Sequence, residues 1–446
     1  MSRCAFCVGD GALTIGWRLV PTRPPQQIGG MTHTLPDSFA LDPASRRLRL
    51  DPRDAGFFQD PYPAYAALHR AGAPVFWEEL GCLAIAEHRL ISALLRDRRF
   101  GRILPDETGR PESPAVSENG RNFFALELNS LMELEPPTHT RLRSLVSKGF
   151  VSRRIDPLEA SIAALADALI DGFAGEPAVD LVARFATPLA VAVIARLVGL
   201  GATAHADMLA WSHSMVAMYQ FGRTASVEAA AEKAAANFRD FMHSAVAERR
   251  RHPGDDLISS LIAAETEEGR LSEDEMVATL ILLMNAGHEA TVHQIGNGVK
   301  AVLESGLDGP ALFSARADSV RTVEEILRFD TPLHLFRRIA LADVELSGGV
   351  QVRRGEAVAL LLGAGNRDPR RFAHPDRFDP ARRDGGHVSF GAGIHFCLGA
   401  PLARLELVVA LERLFRSLPR MRLAAPPRTN DSWHFRGLER LEVAPF

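Results

Sequence analysis

Phe390-Gly391-Ala392-Gly393-Ile394-His395-Phe396-Cys397-Leu398-Gly399-Ala400 carries the densest chemical signal in the chain. Two glycines permit a tight turn whose backbone N–H groups can approach one acceptor closely. Cys397 then precedes a helical pattern of apolar residues, Leu398, Leu402, Leu405, Val408 and Val409. A cysteine at a helix N-terminus has its thiolate favoured by unpaired N–H groups and the macrodipole. With no second cysteine nearby, such a thiolate suits a single axial bond to iron better than tetrahedral zinc. A buried structural cysteine behind a glycine loop stays open as the other reading.

The rest of the composition narrows the class. The 446 residues are 46% hydrophobic and 24% charged, with a net charge of −4. Mild acidity argues against a nucleic-acid binder, which should carry a strongly basic domain. Arginines number 48 against three lysines, Lys148, Lys233 and Lys300, read first as a compositional bias and second as a preference for bidentate anion contacts. Cys4, Cys7, Cys82 and Cys397 are too few for a disulfide scaffold, so a reducing cytoplasm is expected. The longest uncharged stretch near the middle, Met276–His288, has 13 residues, short of the roughly 18 a membrane span needs. The first 30 residues lack the pattern of a signal peptide. Residues 1–50, rich in Pro, Gly and Arg, read as a loose arm, with Met31 a possible alternative start. Cys4-x-x-Cys7 has no second pair to complete a zinc site and reads as two idle thiols. Residues 51–446 read as one domain.

Inside that domain a short helix (Pro63–Arg70) and strands near Pro74–Trp77 and Cys82–Ile85 come first. Gly101–Glu135 reads as a long lid or binding loop bearing the apolar cluster Phe123, Phe124, Leu126 and Leu128. Helical patterns follow at Pro137–Phe150, Pro157–Ala174, Phe185–Val198, Ala204–Tyr219, Val227–Arg250 and Asp255–Ala264. The most distinctive helix, Leu271–Leu303, opens on a Ser272/Glu275 capping box. It is apolar almost all round over Met276–Ala286, as a fully buried helix should be. Halfway along stand Asn285, Gly287, His288, Glu289 and Thr291, and buried polar groups need a partner or a task. His288-Glu289-Ala290-Thr291-Val292-His293 is HExxxH rather than HExxH; its two imidazoles diverge by about 140° and cannot share a metal from a regular helix. Short strands and turns follow residue 330, then a last helix at Leu398–Ser417.

The Cys397 stretch, FGxGxHxCxG, resembles the haem-binding loop of the cytochrome P450 superfamily at every fixed position. Glu325-Ile326-Leu327-Arg328 resembles that family's ExxR helix, and Pro375-Asp376-Arg377-Phe378 its PxRF meander. Pro136-Pro137-Thr138-His139-Thr140-Arg141-Leu142-Arg143 resembles its PPxHxRxR segment, and Ala286-Gly287-His288-Glu289 the AGx(D/E) kink of its central helix. The similarity runs from about Asp60 to the end of the chain.

The resemblance implies a mainly α fold with a small β region, a triangular prism with haem between the long central helix and the Cys-loop helix. It implies haem b with Cys397 as the metal ligand. His139, Arg143, Arg338, His387, His395, Phe390 and Gly391 are the implied cofactor-binding residues. Glu325 and Arg328, three apart on one helix face, can pair, and Arg377 is expected to complete a structural brace. Glu289, on a helix weakened by Gly287, is the expected proton relay, with Thr291 beside it. The family's hydroxyl-bearing Thr after the acid is Ala290 here. Thr291 lies about 100° further round the helix, so an ordered water or a substrate hydroxyl is expected to supply the missing group.

The implied reaction inserts one oxygen atom from O2 into a medium-sized, mostly apolar substrate, with electrons from NAD(P)H through ferredoxin reductase and ferredoxin. Substrate contacts are expected from Phe123–Leu128, Met215–Phe221, Leu282–Glu289, Leu333–Phe336 and Trp433–Phe435, with Asn285, His288, His334 and His434 as polar hooks. Arg141, Arg143, Lys148, Arg153 and Arg154, with no acid among them, and six arginines against four aspartates in Gly363–Asp384 suggest a basic face that steers an acidic ferredoxin. A cytoplasmic monomer with no nucleic-acid or membrane partner is expected. A peroxide-driven oxygenase and a haem-binding gas or ligand sensor without turnover are the rival functions.

Overall fold

The capping box at Ser272 starts a helix that runs unbroken from Glu273 to Glu304 in the computed structural model. Its 32 residues span about 48 Å at 1.5 Å per residue. The Ser272 hydroxyl accepts from the Glu275 N–H (3.1 Å) while the Glu275 carboxylate accepts from the Ser272 N–H (2.9 Å). The structure describes residues 34–446 apart from 73, 113–119, 151–154 and 265–269. The expectations for Met31, Cys4, Cys7, Arg153 and Arg154 fall outside the described residues.

Helices Thr187–Val198, His205–Val216, Ala225–Arg251, Arg316–Phe329 and Ala400–Ser417 pack around this central helix. They cover most of its largely apolar middle, burying Met276, Leu280 and Ile281 fully, while Leu282, Asn285 and Ala286 stay partly open on the side that faces a cavity. Gly287 is not a point of weakness, contrary to expectation. A Cβ there would lie 2.7 Å from Ile194 Cγ1, so the glycine lets helix Thr187–Val198 approach closely while the α-helical hydrogen bonds continue past it.

A seven-stranded sheet stands beside the helical core, in the order Ala40–Asp42, Arg47–Arg49, Val75–Trp77, Cys82–Ile85, Ala357–Leu361, Leu335–Ala340, Phe100–Gly101. Its first two strands, Ala40–Asp42 and Arg47–Arg49, correct the expected 1–50 arm, whose last stretch is a hairpin of the sheet. The alternation Arg47-Leu48-Arg49-Leu50 turns two leucines into the core and two arginines outward. The described residues form one compact unit.

The expected 101–135 loop also contains structure. Arg121–Glu127 is a helix that buries Phe123 and Leu126, three apart on one face. Its free N-terminal N–H groups at Asn122 (2.8 Å) and Phe123 (3.2 Å) donate to Glu232 of helix Ala225–Arg251. That cap lies more than a hundred residues away in sequence, which is why no local signal announced the helix.

Candidate active site

The Cys397 loop folds back on itself through the Cys397 N–H, which donates to the Phe390 carbonyl at 3.0 Å. Gly391 (φ 68°) and Gly393 (φ 73°) occupy the left-handed region. A Cβ on Gly393 would lie 2.1 Å from the Leu95 carbonyl oxygen, so only glycine fits. The following helix begins at Ala400, two residues later than the apolar pattern suggested. Burial pushes the Cys397 thiol up, while the N–H groups of Gly399 and Ala400 and the charge of Arg143 pull the other way.

Cys397 opens on a cavity of about 990 Å³. Ala286, Gly287, Glu289, Ala290 and Thr291 of the central helix line it too, as do Phe390, His139, Arg143, Arg338 and His395. His139 and Arg143, four apart on helix Thr138–Ser147, share the face toward it. Both His139 ring nitrogens are buried without a hydrogen-bond partner, and burial pushes that imidazole down to about 4. Arg338, 3% exposed, spends one hydrogen bond on the Arg337 carbonyl (2.9 Å). No ion pair holds it among the described residues, and burial, with the Arg102 charge, pushes its guanidinium down to about 9 against the pull of Glu135 and Glu133. Arg143 donates to the Phe396 carbonyl at 2.7 Å. His395 packs against His139 with 4.4 Å between ring centres and a 53° tilt, its Nε2 3.0 Å from Glu135 Oε1.

These donors fit the implied haem. A buried, under-bonded guanidinium and an unpartnered imidazole are costly alone and suited to propionate oxygens. Among the described residues no further ligand set stands beside Cys397 to complete a zinc tetrahedron, so the lone thiolate suits an axial bond to iron better than zinc. His387 is a correction, since it does not line the cavity. Its Nε2 lies 3.2 Å from Glu324 and its Nδ1 accepts the Ser389 N–H. Gly391 shapes the loop and presents its open side to the Phe336 ring, 2.9 Å from where a Cβ would stand. Arg102, which no motif announced, also lines the cavity; it pairs with Glu133 and donates its N–H to Glu135 at 2.6 Å.

The brace is also corrected. Arg328 grips Glu325 through two bonds of 2.7 and 2.8 Å, both side chains buried. The second guanidinium is Arg382, 3.3 Å from Glu325, whereas Arg377 is exposed and contributes its carbonyl to Arg328 and Arg382. The sequence spacing could not tell which meander arginine turns inward.

Glu289 faces three imidazoles. His293 Nε2 is 3.1 Å from its Oε1, and His213 and His288 Nε2 lie 3.4 and 3.5 Å from its Oε2. Burial opposes ionisation, but hydrogen bonds from His213 and His293 outweigh it and hold the carboxyl far below the usual range. Thr291 donates its hydroxyl back to the Gly287 carbonyl at 3.0 Å.

Of the expected polar hooks, Asn285 and His434 line the cavity. His288 and His334 do not. His334 is fully buried against Tyr65 (2.7 Å) on the sheet side. Glu127 and its partner Tyr219 (2.9 Å) add a polar end, and burial with the Glu133 charge pushes Glu127 up to about 7. The basic face is less bare than expected, because Arg141 pairs with Glu275, Arg367 with Asp376, and Arg382 with Asp384. Among the described residues no helix is long and apolar enough to cross a membrane.

Comparison with known proteins agrees with this geometry. A family model described as Cytochrome P450 matches residues 320–430. The chain is 40% identical over 399 residues to Cytochrome P450 107B1 of Saccharopolyspora erythraea, covering 88% of this chain and 96% of that protein. It is 38% identical over 409 residues to the Vitamin D(3) 25-hydroxylase of Pseudonocardia autotrophica, covering 87% and 94%. The solved structure of P450BioI with a hexadec-9Z-enoic acid ligated acyl carrier protein superposes with a TM-score of 0.81 at 31% identity, covering 87% and 99%. Similarity of this degree over nearly nine-tenths of the chain, with a fold that brings the Cys397 loop and the central helix to one cavity, shows that the chain belongs to the bacterial cytochrome P450 family of haem-dependent monooxygenases.

Proposed function

We propose that this monooxygenase inserts one oxygen atom from O2 into a medium-sized, mostly apolar substrate, with Cys397 as the ligand of a haem b iron. Electrons come from NAD(P)H through ferredoxin reductase and ferredoxin. The observation that carries the reading is the shared cavity, with a lone cysteine and small residues of the central helix on its walls. A thiolate-ligated haem supplies oxygen activation there, the thiolate pushing electron density that favours O–O cleavage.

The chain's own groups then have distinct tasks. Arg338 and His139 bind propionates, and Arg143 holds the Phe396 carbonyl beside Cys397. Met215, Met218, Phe221, Leu282, Phe336 and Phe435 exclude water and bind apolar substrate surface. Asn285, His434 and the Glu127–Tyr219 pair orient its polar groups. Glu289 moves the proton toward the cavity. Being ionised and ringed by imidazoles, it first takes that proton from one of them. Ala290 offers no hydroxyl, and the Thr291 hydrogen is committed to Gly287. An ordered water or a substrate hydroxyl therefore completes the path.

The test is NADH-dependent product formation with a surrogate ferredoxin system, alongside a reduced-CO difference spectrum. The thiolate-type Soret band, turnover that needs ferredoxin, and rates that fall with ionic strength are expected. Product formed only from peroxide would replace the electron route, and a Soret band of the imidazole type would remove Cys397 as ligand. Ala290→Thr is expected to change both NADH coupling and product yield with the native substrate; no change in either ends the water-or-substrate account.

A further inference from the structure

The Glu289 cluster holds a donor set that proton delivery does not explain. His288 is 2% exposed, and its Nδ1 lies 2.9 Å from the Met284 carbonyl. A carbonyl only accepts, so that nitrogen carries the ring hydrogen. In the neutral ring Nε2 is then a bare lone pair. It is buried without a hydrogen-bond partner and points at Glu289 Oε2, 3.5 Å away. Two lone pairs facing each other in a buried site repel unless something positive stands between them.

His213, from helix His205–Val216, brings a third donor to the same oxygen at 3.4 Å. The ligating atoms of His213, His288 and Glu289 all lie within 4.8 Å of one another. We propose that these three residues bind a divalent transition-metal ion of the Zn2+ class. Two imidazoles and one carboxylate form a three-ligand set that leaves a fourth position for water. Ligands about 2.1 Å from a tetrahedral ion stand about 3.4 Å apart, which matches the His213 and His288 separations from Glu289 Oε2 of 3.4 and 3.5 Å. The third edge closes by rotation of the His213 ring, whose side chain is 55% exposed. His293, 3.1 Å from the other Glu289 oxygen, orients the carboxylate from behind.

The HExxxH spacing keeps His293 out of the ligand set, as its helical geometry requires. The missing imidazole comes from another helix. A bound ion would tie helix His205–Val216, which leads into the cavity-lining residues 215–221, to the central helix. With the ion bound, His213 and His288 are taken up as ligands, and His293 on the other Glu289 oxygen is the imidazole left to pass a proton; metal binding is therefore read by calorimetry and X-ray absorption, apart from turnover.

The test uses the haem-loaded full chain, untagged, chelator-treated and carrying Cys4→Ser and Cys7→Ser to remove the other paired thiols. Zn2+ titration calorimetry should show one site of micromolar affinity or tighter. Zinc-edge X-ray absorption should show two imidazole nitrogens and oxygen at about 2.0–2.2 Å. His213→Ala, a half-exposed change that leaves the core intact, should weaken binding by about thirtyfold or more. His213→Cys should restore it with a sulfur at about 2.3 Å. Absence of micromolar zinc binding by the parent, or equal affinity in His213→Ala, overturns the proposal and leaves an imidazolium–carboxylate cluster.

Discussion

Arg382 Nε lies 3.3 Å from Glu325 Oε2, so the buried Glu325 carboxylate stands between the Arg328 and Arg382 guanidiniums. The Asp379 N–H donates to it as well, at 2.8 Å. This ties helix Arg316–Phe329 to the segment that leads into the Cys397 loop. Arg328→Ala leaves a buried anion under-compensated and should cost about 3–5 kcal/mol in unfolding experiments. Arg382→Ala should cost about 1.5–3 kcal/mol. Arg377→Ala should stay within about 0.5 kcal/mol. A cost for Arg377→Ala equal to that of Arg382→Ala would contradict this arrangement.

Arg338 should show opposite effects on two measurements. Its guanidinium is buried with one backbone hydrogen bond, which burdens the haem-free chain. Arg338→Met should stabilise that form by about 1–3 kcal/mol and lower haem retention by at least tenfold. Both shifts moving in the same direction would show that Arg338 has no anionic partner in the holoenzyme.

Glu127 makes substrate affinity pH-dependent. Burial and the Glu133 charge push its carboxyl up to about 7, so the folded chain holds this proton more tightly than the unfolded one. Its stabilising contribution is full below about 4.5 and is lost as pH rises through about 7. Over the same upper range the pocket gains a buried negative charge. Spin-shift titration with an apolar ligand should show weakening from pH 6 to pH 8, by about tenfold or less. Glu127→Gln should flatten the curve; an unchanged curve would place the titration elsewhere.

Gly287 is a packing residue. Alanine there meets Ile194 Cγ1 and Cδ1 at 2.7 and 2.8 Å. The clash should cost about 1–3 kcal/mol, against a gain of about 1 kcal/mol in helix propensity. Ile194→Ala should relieve it, so the double variant should be more stable than the two single losses summed. Strict additivity would show that the helices adjust without contact.

Motifs built from residues close in the chain were legible before the fold. The glycine turn at Cys397, the Ser272/Glu275 capping box, the Glu325/Arg328 pair and the apolar centre of the long helix each follow from spacing of a few residues, where backbone geometry alone sets which side chains meet. Taken together they carried the resemblance that implied the fold class, which the solved structures bear out. Only the tertiary structure decided which distant groups complete them. It selected Arg382 over Arg377 for the brace, turned His387 toward Glu324, brought Glu232 to the cap at Asn122, and set His213 against Glu289. Such choices depend on how helices and loops far apart in sequence pack, and on which charge is cheapest to bury at each contact. No local period encodes either.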